Sequence, residues 1–137
     1  FEEATLPARA MIYTGSIVVL FLGFHLSQFT VGGVGSAPFV QGDVYGNLYG
    51  AFQHPVYVAL YVGVMAVIGI HLYHGAWSLF QTLGWDNPDR NKSLRMLSVA
   101  LGVGIFLAFS AIPISFFSGE MNKPSLQHAD TSSRSNK

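Results

Sequence analysis

The chain has 137 residues, of which 50% are hydrophobic, 14% aromatic and only 10% charged, with zero formal net charge and no cysteine. Soluble domains carry about 25% charged residues, and the charges here are clustered: no Asp, Glu, Lys or Arg lies between Arg9 and Asp43, between Asp43 and Asp86, or between Arg95 and Glu120. That composition excludes an ordinary soluble domain and a basic nucleic-acid binder. The missing thiols exclude disulfides, cysteine-held iron–sulfur clusters, covalent c-type haem and a thiolate nucleophile.

Uncharged apolar runs of about 20 residues match a hydrocarbon core roughly 30 Å thick, so the charge gaps predict an all-α polytopic membrane bundle with three spans. The first runs from about 10 to 30, flanked by Arg9 and Pro7. A connection with six glycines and no Lys or Arg follows, from Val31 to His54. Within it Asp43 is expected to cap a short interfacial helix, because Val44, Tyr45, Leu48, Tyr49 and Phe52 recur at three- and four-residue spacing. The second span starts at Pro55, a favoured first helical position, and continues to about 83. Gly84 and the run Asp86-Asn87-Pro88-Asp89 predict a turn, and a basic connection through Arg90, Lys92 and Arg95 leads into a third span over about 94–117. Pro113 should kink its end. Gly63, Gly69, Gly102, Gly104, Ser98 and Ser110 suit helix-packing positions.

The membrane region is thus assigned to 1–119 and a polar, disordered tail to 120–137. The chain begins at Phe1 without a basic leader, so a fragment is expected: truncated, processed, or with earlier helices lying elsewhere. Arg9, Arg90, Lys92 and Arg95 collect on one side, and the long glycine-rich loop on the other has no Lys or Arg, which predicts that the 86–95 connection faces the cytoplasm.

Five histidines carry the functional question. His25 and His71 lie inside spans, where ionisable residues mark either function or a buried polar contact between helices. No span holds a carboxylate or cation to complete a proton or ion path. Neutral imidazole is a good iron ligand, so haem b, with His25 and His71 as axial ligands, explains the pair better. Gly75, one turn after His71, would leave space for a macrocycle edge, with Ser78, Trp77 and Phe80 nearby. His74, three residues after His71, is an alternative ligand, a propionate partner or simply a polar residue. Around His25, Phe21, Gln28 and Phe29 share its face. His54 and Tyr57, at the membrane surface, are candidates for a quinone headgroup or a propionate, while His128 belongs to the tail. Counted from span centres at about 1.5 Å per residue, His25 and His71 should differ in depth by roughly 11–12 Å and serve two different irons.

The segment His71-Leu72-Tyr73-His74-Gly75-Ala76-Trp77-Ser78-Leu79-Phe80-Gln81-Thr82-Leu83-Gly84-Trp85 resembles the fourth-helix signature of the dihaem cytochrome b subunit of succinate dehydrogenases and fumarate reductases. Gly23-Phe24-His25-Leu26 resembles the same family's third-helix haem site. The three spans would then be helices three to five of a five-helix pattern whose first two helices are absent. Where some members carry a membrane glutamate two residues before the fourth-helix histidine, this chain has Gly69. The resemblance implies two b haems, a membrane quinone (menaquinone as the expected one), and flavoprotein and iron–sulfur subunits as partners at a bacterial inner membrane. It also implies that the enzyme chemistry on succinate or fumarate resides in those partners. The alternatives are the cytochrome b subunit of a hydrogenase or formate dehydrogenase, and a haem-free polytopic protein.

Overall fold

The structure is a computed structural model and describes residues 6–35, 38–85 and 87–120. It is all-helical: α1 (Leu6–Leu26), α2 (Val44–Phe52), α3 (Pro55–Thr82) and α4 (Pro88–Phe117), with no strand among the described residues. Three segments are long and apolar enough to cross a membrane, Arg9–Val31, Pro55–Thr82 and Pro88–Phe117. Large apolar side chains face outward along all three, among them Ile12, Val19, Leu20, Ile70, Val103 and Leu107. In water that surface would be untenable; against lipid chains it is the expected solvent-facing surface.

Two boundaries differ from the sequence expectation. The first span does not end as an α-helix: Ser27–Val31 form a π-helical turn, closed by Gly32 in the left-handed conformation (φ 73°) with its N–H on the Ser27 carbonyl. A side chain at Gly32 would collide with the Phe39 ring, so both the backbone angle and the space demand glycine there. The second correction concerns the third span, which begins at Pro88 rather than near 94. Asn87 Oδ1 accepts the Asp89 N–H at 3.0 Å, Pro88 occupies the first helical position and Asp89 lies in the first turn. The proline therefore starts a helix here instead of interrupting one. Arg90, Lys92 and Arg95 consequently lie on the opening turns of α4, not in a loop. Pro113 stands inside α4 as expected, and the helix continues past it to Phe117.

α2 forms where its cap predicted it: Asp43 Oδ1 accepts the Gly46 N–H at 2.9 Å. Tyr45, Tyr49 and Phe52 meet Phe116 of α4, with ring centroids 5.4–6.4 Å apart. The glycine-rich connection is pinned to α2 by the buried Asn47, whose Nδ2 donates to the Val40 carbonyl at 2.8 Å and whose Oδ1 accepts the Val40 N–H at 2.9 Å. Gln53 Nε2 donates to the Phe116 carbonyl at 3.0 Å, tying the start of α3 to the end of α4. At the other end Arg95 lies over the Trp77 ring, 4.9 Å from its centroid. α3 and α4 therefore run antiparallel. Arg9 and the three cations of α4 occupy one end of the bundle and the glycine-rich connection the other.

Of the packing positions proposed from sequence, Gly69 and Gly102 meet directly. A Cβ on Gly69 would sit 2.8 Å from the Gly102 carbonyl oxygen, and one on Gly102 2.6 Å from the Gly69 oxygen. Ser98 and Ser110 are buried, whereas Gly63 and Gly104 face nothing within 4 Å.

Candidate functional site

The two intramembrane histidines both lie on the seam between α1 and α3, one contributed by each helix. His71 of α3 is half-buried against Thr14 and Gly15 of α1. Its Nδ1 is 2.9 Å from Thr14 Oγ1, which itself lies 2.8 Å from the Ala10 carbonyl one turn back. A Cβ on Gly15 would come within 3.3 Å of His71 Cε1, so the absence of a side chain there seats the imidazole.

His25 of α1 is half-buried against α3. Its Nδ1 is 3.2 Å from Tyr61 Oη, and that hydroxyl donates to Gln28 Oε1 at 2.7 Å. Tyr61 and Gln28 are only 4% and 5% exposed, so this hydrogen-bonded chain is sealed inside the bundle. Gln28 reaches Tyr61 from within the π turn, the kind of local widening that often re-aims side chains at functional sites. Phe21, Phe29 and Tyr61 surround the His25 ring at centroid distances of 5.8, 5.3 and 5.9 Å. An apolar groove of about 300 Å³, lined by Ile17, Leu20, Phe21, Phe24, Leu60 and Val64, runs along the seam beside Phe21.

Both imidazoles are thus held through Nδ1 by a hydroxyl from the facing helix. Neither Nε2 has a hydrogen-bond partner among the described residues, and neither is sealed from the surface; the sealed, unpartnered side-chain atoms are Gln28 Nε2, His74 Nδ1 and Ser110 Oγ. Both Nε2 atoms are therefore open to a ligand. His74 has the opposite arrangement, with Nδ1 buried and unsupported and its ring tilted against Tyr73 at 5.0 Å.

The contacts also fix relative depth. His71 is level with Thr14, and His25 with Tyr61. Eleven positions on α1 and ten on α3 separate those levels, so the histidines stand about 15–17 Å apart along the helix axes. That exceeds the depth difference counted from span centres, because the pairing register of the helices, not their midpoints, decides the level. One metal ion needs its two nitrogens within about 4 Å of each other, so His25 and His71 do not share one. No group of three or more His, Asp or Glu side chains converges on a metal position among the described residues.

The remaining candidates sort differently. Gly75 faces α1, where a Cβ would be 3.7 Å from Met11 Cε, an ordinary contact; the close approach to the His71 ring is at Gly15. Ser78 is exposed on α3. His54 is exposed just before α3, its ring 6.2 Å from Tyr57, and Tyr57 stacks on Phe24 at 6.4 Å. His128 lies outside the described residues. Thr14, Gly15 and Tyr61 were not singled out in the sequence, since nothing local to a helical Thr, Gly or Tyr marks it as a histidine's partner on another helix. Gln28 was visible only as a same-face neighbour of His25. Comparison with family models, with curated proteins and with solved structures found no match to this chain.

Proposed function

We propose that this chain is a haem-carrying electron-transfer subunit of the membrane, serving two b haems through His25 and His71. The observation that carries the reading is the pair of intramembrane imidazoles at separate depths, each held at Nδ1 by a hydroxyl and each open at Nε2. Iron-ligating histidines characteristically donate their second ring N–H to an outer partner, which fixes the ring and raises its basicity. A haem, when bound, supplies one-electron transfer. The chain's own contribution is to orient the two rings, to surround His25 with aromatic and apolar surface, and to keep charged side chains out of the region between the two levels. Each iron would take its second axial ligand from outside this chain.

On this reading the cationic end, with Arg9, Arg90, Lys92 and Arg95, faces the cytoplasm of a bacterial inner membrane and receives an iron–sulfur and a flavoprotein partner. A membrane quinone, menaquinone by the family resemblance, would then exchange electrons with the chain, with His54 and Tyr57 beside the glycine-rich connection as candidate contacts. The succinate dehydrogenase and fumarate reductase resemblance of the His71–Trp85 segment is the support for these partners.

The same hydrogen bonds favour one second reading. His71–Thr14 and His25–Tyr61 both cross the α1–α3 seam, as interhelical polar contacts do in haem-free bundles. A visible spectrum of the dithionite-reduced protein, purified from membranes with its partners, decides between them. A haem b α band that diminishes separately in His25→Ala and His71→Ala supports the electron-transfer reading. Its absence from the intact complex overturns that reading in favour of the haem-free one.

A further inference from the structure

The hydroxyls on the two histidines have donor duties of their own, and the distances indicate which way each proton points. O–H···O bonds centre near 2.7–2.8 Å and N–H···O bonds near 2.9–3.0 Å. Tyr61 Oη to Gln28 Oε1, at 2.7 Å, has the length of a hydroxyl donating to a carbonyl oxygen, and the 3.2 Å separation from His25 Nδ1 is a longer, nitrogen-type contact. A phenol has one proton to donate. With that proton on Gln28, Tyr61 can meet His25 only as an acceptor, so the imidazole proton must sit on Nδ1.

We propose that Tyr61, oriented by Gln28, is a positioning residue that locks His25 as the Nδ1–H tautomer and thereby presents Nε2 as its ligand-binding nitrogen. The direction at His25 is inferred from the Tyr61–Gln28 bond and the two distances; the consequence for iron rests on the haem reading above. Gln28 suits the task because the π turn brings its amide to Tyr61 and the fold buries both groups. Gln28 Nε2 is sealed without a protein partner and lines the small recess of about 60 Å³ beneath the glycine-rich connection, with Phe29, Gly33, Gly35, Pro38 and Asn47 around it. Tautomer choice at an intramembrane histidine is thus governed from the end of the molecule that carries the glycines.

The test is nitrogen NMR on the full chain, labelled with ¹⁵N-histidine, in lipid nanodiscs before haem is added, with the His25 signal assigned by its loss in His25→Gln. The unmodified chain should show His25 protonated at Nδ1 and bare at Nε2. In Gln28→Leu the freed tyrosine proton turns to Nδ1 and the His25 proton moves to Nε2. In Tyr61→Phe the Nδ1–H preference disappears, while Thr14→Val, at the other histidine, leaves the His25 signal unchanged. Haem retention at the His25 level should then weaken about 10–100-fold in Tyr61→Phe, the usual cost of losing an outer-shell partner. An Nε2–H imidazole in the unmodified chain would overturn the proposal, because it would mean that the Gln28 amide donates to Tyr61 and Tyr61 to His25. So would a tautomer unmoved by Gln28→Leu. Failure of the chain and its partners to bind haem, with the tautomer results intact, would overturn the haem reading and not this one.

Discussion

The two helix seams of α3 are built on opposite principles. Against α4, α3 presents backbone: Gly69 and Gly102 face each other so closely that either Cβ would meet the other's carbonyl oxygen, with Tyr73 and Phe106 flanking them. Against α1 it presents functional groups: Tyr61 and His71 each reach across to a polar partner. Positions 69 and 71 are two residues apart, about 200° around the helix, so one short stretch of sequence serves both seams. The contrast separates structure from chemistry. Among the described residues α4 contributes no hydrogen bond to either histidine and stabilises α3 by close apposition, whereas the α1–α3 seam holds the partners of both imidazoles, Thr14 of α1 for His71 and Tyr61 of α3 for His25.

The largest expected effect breaks the chemical seam. On the proposed haem reading, His71→Ala in the protein purified with its partners should abolish one haem signal entirely, and His25→Ala the other, while His74→Ala leaves both. The difference rests on support, since His71 has Thr14 and Gly15 around it and the buried Nδ1 of His74 has no partner. Reduced-minus-oxidised spectra with haem extraction count the losses. Loss of a haem in His74→Ala with none in His71→Ala would reverse the assignment.

Next comes the structural seam. Gly102→Val places a branched side chain where even a Cβ would lie 2.6 Å from the Gly69 oxygen and 3.3 Å from Tyr73 Cβ. The helices must part, at about 1–3 kcal/mol for overpacking, measurable as easier unfolding in mixed micelles followed by circular dichroism. Because His71 faces the other way, the nitrogen NMR signals of both histidines should persist under folding conditions. A shift of those signals as large as that caused by Tyr61→Phe would show the seams to be coupled and remove the distinction drawn above.

A third, smaller effect concerns the cover over the His25 end. Asn47→Ala removes both side-chain hydrogen bonds to Val40. Net contributions of about 0.5–1.5 kcal/mol per bond predict a loosening of about 1–3 kcal/mol confined to this connection, read as faster amide exchange over 38–47 with α3 and α4 unchanged.

The sequence and the structure agree wherever the signal is one-dimensional. Charge gaps locate three spans because hydrocarbon excludes ionised groups over a known thickness, and Asp43 announces α2 because a cap lies within three residues of the N–H it satisfies. The π turn at Ser27–Val31 was not legible, since its closure depends on Gly32 fitting against Phe39 across the connection. α4 starts earlier than expected because Asp86-Asn87-Pro88-Asp89 reads as a turn, although Asn87 and Asp89 around the proline are also helix-start residues. The histidines themselves stood out by rarity in an apolar setting. Their partners did not: pairing Thr14 with His71 and Tyr61 with His25 is a matter of register between helices 36 to 57 residues apart in sequence, which no local pattern encodes.

The smallest expected effect sharpens the comparison at the cationic end, where α3 and α4 meet through a side-chain contact instead of through backbone. Arg95 is exposed and lies over Trp77 at 4.9 Å from the ring centroid. An exposed cation over an indole is worth about 0.5–1 kcal/mol, below the upper end of the cost expected from crowding Gly102. Arg95→Ala should therefore lower stability by no more than about 1 kcal/mol in the same micelle unfolding assay. Arg95→Lys, which keeps a cation but loses the planar guanidinium that stacks on the ring, should retain only part of that contribution. If this cationic end also receives the iron–sulfur partner, Arg95→Ala should weaken co-purification of that partner more at low salt than at high salt, because exposed charge pairs are screened, and Arg95→Lys, which keeps the charge, should weaken it less. A stability loss beyond about 2 kcal/mol, larger than an exposed cation–ring contact can supply, would make Arg95 a principal element of the α3–α4 seam and end the description of that seam as backbone packing.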